Sequence, residues 1–286
     1  MKRTRIQVFQ ILLGLKILFS TPFLFSEIGI VEKAQEFTLK QDREAVYQLA
    51  HDSSQSKNLT IADWNSINRL LEMFYTEEGQ SRYSSALSIM GSNPKLAHSR
   101  FSEALALEKG HQKVIQGLAA TEILMGQCET AENRLNQHIQ KNSYDGNAYI
   151  FLAMAFLCLS KVNEAKELVN QLDQKKILAS DERLLELKVR INLPDGEKTI
   201  LNDLRSKLQN IKKPQFPATL HLLEYKMTPS MDTQMSLAEQ YVQICKLYTA
   251  KSHRSPPLNP LYCSELPLVE KELAVLKEGV LNSDAE

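Results

Sequence analysis

Residues 112–145, QKVIQGLAATEILMGQCETAENRLNQHIQKNSYD, and residues 146–179, GNAYIFLAMAFLCLSKVNEAKELVNQLDQKKILA, decide the fold. Laid over one another at an offset of 34 residues, they agree where helix packing is most demanding. Ile115 falls on Tyr149, Leu118 on Leu152, Ala119 on Ala153, Gly126 on Ser160, Ala131 on Ala165, Leu135 on Val169 and His138 on Leu172. The same register carried backwards sets Ala97, Phe101 and Ala104 at the places of Ala131, Leu135 and His138. No proline interrupts the chain between Lys95 and Leu193, so long helices are permitted. Small residues at fixed positions let antiparallel helices approach closely, and the large residues between them fill the remaining space. A bundle with only a 3.6-residue rhythm has no reason to match small residues at a fixed longer interval.

This pattern resembles the tetratricopeptide repeat, a helix–turn–helix unit of 34 residues. The family places a large residue at position 4, Leu at 7, small residues at 8 and 20, a large one at 24 and Ala at 27. Leu118-Ala119 with Ala131, and Leu152-Ala153 with Ala165, meet this order, and Ala97, Phe101 and Ala104 supply the second half of an earlier copy. Departures exist. Position 32, normally Pro, is Lys109, Ser143 and Ile177, and position 27 is His138 and Leu172 in the later copies. In the earliest copy Tyr83, Ala86, Leu87 and Met90 fit only with a two-residue shift, which implies a shorter turn through Ser92-Asn93-Pro94. The resemblance implies an all-α fold in which antiparallel helix pairs stack as a right-handed solenoid with extra flanking helices.

Outward from the repeats, the division expected is 1–26 a signal peptide or anchor, 27–77 N-terminal helices, 78–179 three repeats, 180–250 degenerate repeat-like helices, and 251–286 a Pro-rich loop with a C-terminal capping helix. Ile30–Ala50 and Thr60–Tyr75 read as helices, the second with Trp64, Ile67 and Leu71 on one face and Trp64 as a core anchor. Glu77-Glu78 before Gly79 reads as a solvated turn. Ser180 can cap a helix through Arg190, and another follows Asp195 with Ile200, Leu201, Leu204, Leu208 and Ile211 on one face. A further pair follows Pro217 and Pro229. Ser264 can cap a last helix with Val269, Leu273, Leu276 and Val280 on one stripe, placed to close the open end of a stack.

Lys2, Arg3 and Arg5 precede an apolar run from Ile6 to Phe25, the layout of a secretory signal, with Leu24-Phe25-Ser26 as the cleavage site. As a membrane span the run has about the minimum length of 20 residues, and Lys16 near its centre would cost roughly 2.5–3.5 kcal/mol. Export to the periplasm or cell envelope is therefore the first expectation, and a retained inner-membrane anchor at residues 6–25 the second. No cysteine precedes Cys128, which excludes an N-terminal lipoprotein anchor. Over the 286 residues Lys+Arg and Asp+Glu balance at 34 each, so no basic surplus points to nucleic acid. Gly and Pro number 10 each, too few for a fold that turns every 8–12 residues or so.

No His-Glu-x-x-His, Gly-x-Ser-x-Gly, Walker or Gly-x-Gly-x-x-Gly motif occurs, and the six histidines include no pair at i,i+4. Hence no catalytic residue, metal site or cofactor is expected, and the chain reads as a protein-interaction module binding another protein or peptide. By the family resemblance, positions 2, 5, 9, 12 and 13 line a concave groove. Here they are Lys113, Gln116, Ala120, Ile123 and Leu124, then Asn147, Ile150, Met154, Leu157 and Cys158. Phe151 and Met154 stand where a carboxylate-clamping pattern would need polar groups, so the groove is expected to be mostly apolar. It suits an amphipathic partner segment, or the chain's own helices fill it. The second of these would suit a structural component of an envelope complex.

Four cysteines permit three complete pairings. Cys245, near the end of its helix, and Cys263, before the terminal one, can be joined by reversal of the Pro-rich loop. Cys128 with Cys158 would then form the other bond. The alternative is four reduced, buried cysteines acting as small apolar side chains.

Overall fold

In a computed structural model, the described residues are 29–56, 59–175, 182–192, 198–209, 216–251, 263 and 266–283. All secondary structure among them is helical. Three helices come first: α1 (Ile30–Leu39), α2 (Arg43–Ser56) and α3 (Ile61–Leu71). Then follow α4 (Glu77–Ile89), α5 (Pro94–Leu107), α6 (Gln112–Leu124), α7 (Cys128–Lys141), α8 (Gly146–Cys158) and α9 (Val162–Lys175). The last five are α10 (Glu182–Asn192), α11 (Lys198–Gln209), α12 (Phe216–Met227), α13 (Met231–Lys251) and α14 (Leu266–Ser283).

The interval read from the sequence reappears in the helix boundaries. Helices α5, α7 and α9 are 14 residues each and begin at 94, 128 and 162, while α6 and α8 are 13 residues each and begin at 112 and 146. Ala97, Ala131 and Ala165 are all fully buried, as are Ala119 and Ala153. Each helix from α4 to α10 packs on the next, and α6 also touches α8, as α8 touches α10. One apolar core runs through these elements from Tyr83 to Ile191. Close approach is literal at Gly117, where a Cβ would stand 2.6 Å from the Phe101 ring. The turns after α6 and α8 use left-handed backbone at equivalent places, Gly126 at φ 74° and Ser160 at φ 58°. In the first copy, Asn93 instead caps α5 through the Leu96 amide, with Pro94 at the first helical position.

Three readings of the flanks need correction. The helix read over Thr60–Tyr75 is capped by Thr60 and ends at Leu71. The stretch Ile30–Ala50 is not one helix: Gln41 at φ 56° breaks it, and Asp42 caps the second piece at the Ala45 amide. Glu77-Glu78 is no turn but the first turn of α4, capped by the Thr76 hydroxyl on the Gly79 amide. Carboxylates there complement the helix dipole. Trp64 is a core residue, packed with Ala34, Val46, Tyr47, Ala50, Ile67 and Leu71 in a separate N-terminal core.

Beyond α10, a small core of Val189, Leu201, Leu204 and Leu223 leads to one formed by α12, α13 and α14 around Tyr241, Cys245 and Val269. Leu273 is buried and Leu276 packs against this core. Ser180, Asp195 and Ser264, together with the N-terminal segment 1–26 and most of the Pro-rich loop, lie outside the described residues.

Candidate functional site

Helix α8, GNAYIFLAMAFLC, is apolar around its whole circumference, and a helix of that kind is normally enclosed. Ala148 through Ala155 are all buried, because α7, α9, α6 and α10 surround it. This corrects the expected apolar groove. Ile150 is 0% exposed, Met154 1%, Ala120 0% and Gln116 2%, so these four belong to the interior. Ile123, Leu157 and Asn147 are half-buried, and Leu124 is exposed. Cys158 is bonded to Cys128 with a Cα separation of 6.2 Å. Lys113 is half-exposed and its Nζ stands 3.0 Å from Glu72 Oε2.

Gln116 is buried for a polar reason. Its Nε2 donates to both oxygens of Asp145 at 3.0 and 2.8 Å, and Asp145 also accepts from the Ala148 amide as the N-cap of α8. His138 Nε2 meets the same carboxylate at 2.6 Å. Burial, and next the Asp145 charge, push the Tyr149 phenol above its ordinary value. This network fixes the turn between α7 and α8 from inside. From outside, α3 closes over the same turn. Trp64 stacks on Tyr144 with ring centroids 4.0 Å apart and planes within 7°. Asn68 Nδ2 donates to the Tyr144 carbonyl at 3.0 Å, while Asn142 Nδ2 donates to Asn68 Oδ1 and Gln112 Oε1.

Between α3 and these turns lies a cleft of about 360 Å³. Asn65, Asn68, Arg69 and Glu72 line one wall, and Gln112 with Tyr144–Asn147 line the other. Its chemistry is hydrogen bonding and ion pairing, from amide side chains, the Arg69 guanidinium and the carboxylates of Glu72 and Asp145. Of the residues expected to bind a partner, Asn147 lines this cleft, and Lys113 is joined to it through Glu72. The α3 wall was not found from the sequence. Its residues carry no repeat, and only the amphipathic face around Trp64 signals that α3 packs on something.

A second cleft, about 520 Å³, follows the same boundary between α2 and the turn after α5. Here Arg43 and Glu108 form a buried ion pair at 3.0 Å. Arg43 also donates to the carbonyls of Met73 and Lys109, and stacks over Tyr75 at 4.1 Å. Glu108 accepts from the Tyr75 and Thr76 amides and the Thr76 hydroxyl. Burial alone would raise the Glu108 carboxyl, but the Thr76, Tyr75 and Arg43 donors override it and hold the group below its ordinary value. Tyr47 Oη donates to the Gly110 carbonyl at 2.8 Å.

Both disulfides are formed, Cys128–Cys158 and Cys245–Cys263, the latter with Cα atoms 5.6 Å apart and tying residue 263 to α13 just ahead of α14. Among the described residues no group of three or more His, Cys, Asp or Glu side chains is placed to hold a metal ion, and no helix is long and apolar enough to cross a membrane. No protein-family model matches the chain, and comparison with curated proteins gives no match.

Proposed function

We propose that the chain is an exported, tetratricopeptide-like solenoid that serves as a protein-interaction module and performs no covalent chemistry. The observation that carries this reading is the recurrence, at 34-residue spacing, of helix boundaries and of the buried alanines 97, 131 and 165. A rigid array of helix pairs displays side chains at fixed separations, which suits recognition of an extended or helical partner segment. The accessible residues Lys113, Ile123, Leu124, Asn147 and Leu157, with the cleft walled by Asn65 and Arg69, form the surface assigned to that partner. The polar lining of the cleft favours a segment that carries hydrogen-bonding groups beside its apolar ones.

Export is supported by the charged and apolar N-terminus and by two formed disulfides, which persist in oxidising compartments. Thiol labelling of the denatured, unreduced chain is expected to find no free cysteine; four labelled thiols would count against export. For the surface, a photo-crosslinking residue at Asn65 or Leu124 should give a discrete adduct in the producing cell, and one at exposed Leu96 on α5 should not. Equal labelling from all three positions would refute the assignment.

A second reading, a membrane-anchored structural component of an envelope complex, draws on a different observation. The interior places of Gln116, Ala120, Ile150 and Met154, and the cover that α3 lays over the turns, are what a groove filled by the chain's own helices would show. Fractionation discriminates: retention of residues 6–25 in a membrane-bound chain favours the anchor, and a mature chain beginning near residue 27 favours the module.

A further inference from the structure

Helices α1–α3 have their own apolar core, to which, among the described residues, the central helices and turns add Tyr144. Much of the rest of their attachment is polar and falls on the turns 108–111 and 142–145 and the helix ends beside them, with Tyr47 edge-on to His138 and Phe74 of the linker 72–76 packed on the central core. It includes Arg43 with Glu108, Tyr47 with the Gly110 carbonyl, Asn68 with the Tyr144 carbonyl, Lys141 with Glu44 and Lys113 with Glu72. The closed seam also leaves the buried nitrogens Arg43 Nε and His138 Nδ1 without hydrogen-bond partners, and it buries the His111 ring against the Glu72 backbone. A buried donor or acceptor without a partner costs free energy that water would return on exposure. The seam is thus closed by strong polar contacts around groups that gain from being opened.

We infer that helices α1–α3 and the linker 72–76 form a latch on the repeats, and that acid releases it through protonation of His111. His111 is fully buried in the seam, with the Phe74 ring stacked on it at 3.8 Å and Tyr83 at 6.4 Å. The charged groups facing it are Arg43 from α2, Glu108 from the turn after α5 and Lys113 from α6, and the Glu72 backbone at the end of α3 lies against the ring while its side chain pairs with Lys113. Burial first, then the Arg43 cation, with Glu108 opposing and Lys113 adding, lower its pKa to about 3.

The sign follows from proton binding. In the closed seam the imidazole stays neutral to about pH 3, whereas the opened form titrates near the ordinary 6.5, so the open state binds more protons between those values. Lowering pH through 6.5 therefore favours opening. Between about pH 7.5 and about pH 5 this one group shifts the open-to-closed ratio about 30-fold. The Glu108 carboxyl, held low, adds its own release only at more acid pH.

Amide hydrogen exchange of the oxidised chain, corrected for intrinsic exchange, tests this at about pH 7.5 and about pH 5. Amides of α1–α3 and residues 72–76 should exchange about 30-fold faster at the lower pH, with α9, which carries no histidine, unchanged. His111→Phe and His111→Gln should both abolish the acid response. The inference is overturned by no acid response, by one spread evenly over all helices, or by a full response in whichever variant keeps the wild-type far-UV spectrum.

Discussion

The central helices α4–α10 and the N-terminal helices α1–α3 are joined in one chain but held by different physics. The central stack is one apolar core in which fully buried alanines let helices touch, so its stability answers to volume. The N-terminal unit meets that stack across Arg43, Glu108, Asn68 and Tyr47, so its attachment answers to charge and hydrogen bonding. Side-chain volume is the sensitive variable in the first region, and removal of a single polar partner in the second.

Substitutions can separate the two. The largest effect is expected for Phe101→Ala, which empties a fully buried site under Gly117 and should cost about 3–5 kcal/mol in global denaturant unfolding. Arg43→Met leaves Glu108 buried without its cation and should cost about 3 kcal/mol, seen as an earlier, separate melting step of α1–α3. A single unshifted transition would mean the seam is not held by this pair. Gly117→Ala drives a methyl against Phe101 and should cost about 1–3 kcal/mol without touching a charge. Glu44→Gln loosens only the exposed contact with Lys141 and should change stability by less than about 1 kcal/mol. If Glu44→Gln matched Arg43→Met, burial would not be what distinguishes the two ion pairs.

These differences also explain what the sequence disclosed. Repetition is a local property, so Ala97, Ala131 and Ala165 announced their helices, whereas the left-handed backbone shared by the aligned Gly126 and Ser160 came from the structure. Trp64 as a core anchor was likewise legible from the apolar face of α3. Position labels, however, do not report enclosure. Ile150 and Met154 were assigned to a groove because of their places in the repeat, yet α8 is wrapped on every side and buries them. Met154→Glu and Ile150→Glu would therefore report on folding and not on partner capture. Gln116 pointed the same way until Asp145 claimed it. The polar cleft depends on contacts of Asn68 with Asn142 and of Trp64 with Tyr144, more than 70 residues apart, and no periodicity connects such pairs. Gln41 and the pair Glu77-Glu78 were misread because one left-handed residue and one Thr76 cap decide those boundaries.

The claim on which the account rests is that one helix–helix contact recurs in successive units. Denaturant midpoints of Ala97→Leu, Ala131→Leu and Ala165→Leu, measured beside Ala62→Leu on the exposed side of α3, address it most directly. The three buried alanines should each lose about 1–3 kcal/mol to overpacking, while Ala62→Leu stays within about 0.5 kcal/mol of the parent. Tolerance of leucine at any of the three, to the degree seen at Ala62, would contradict the repeat.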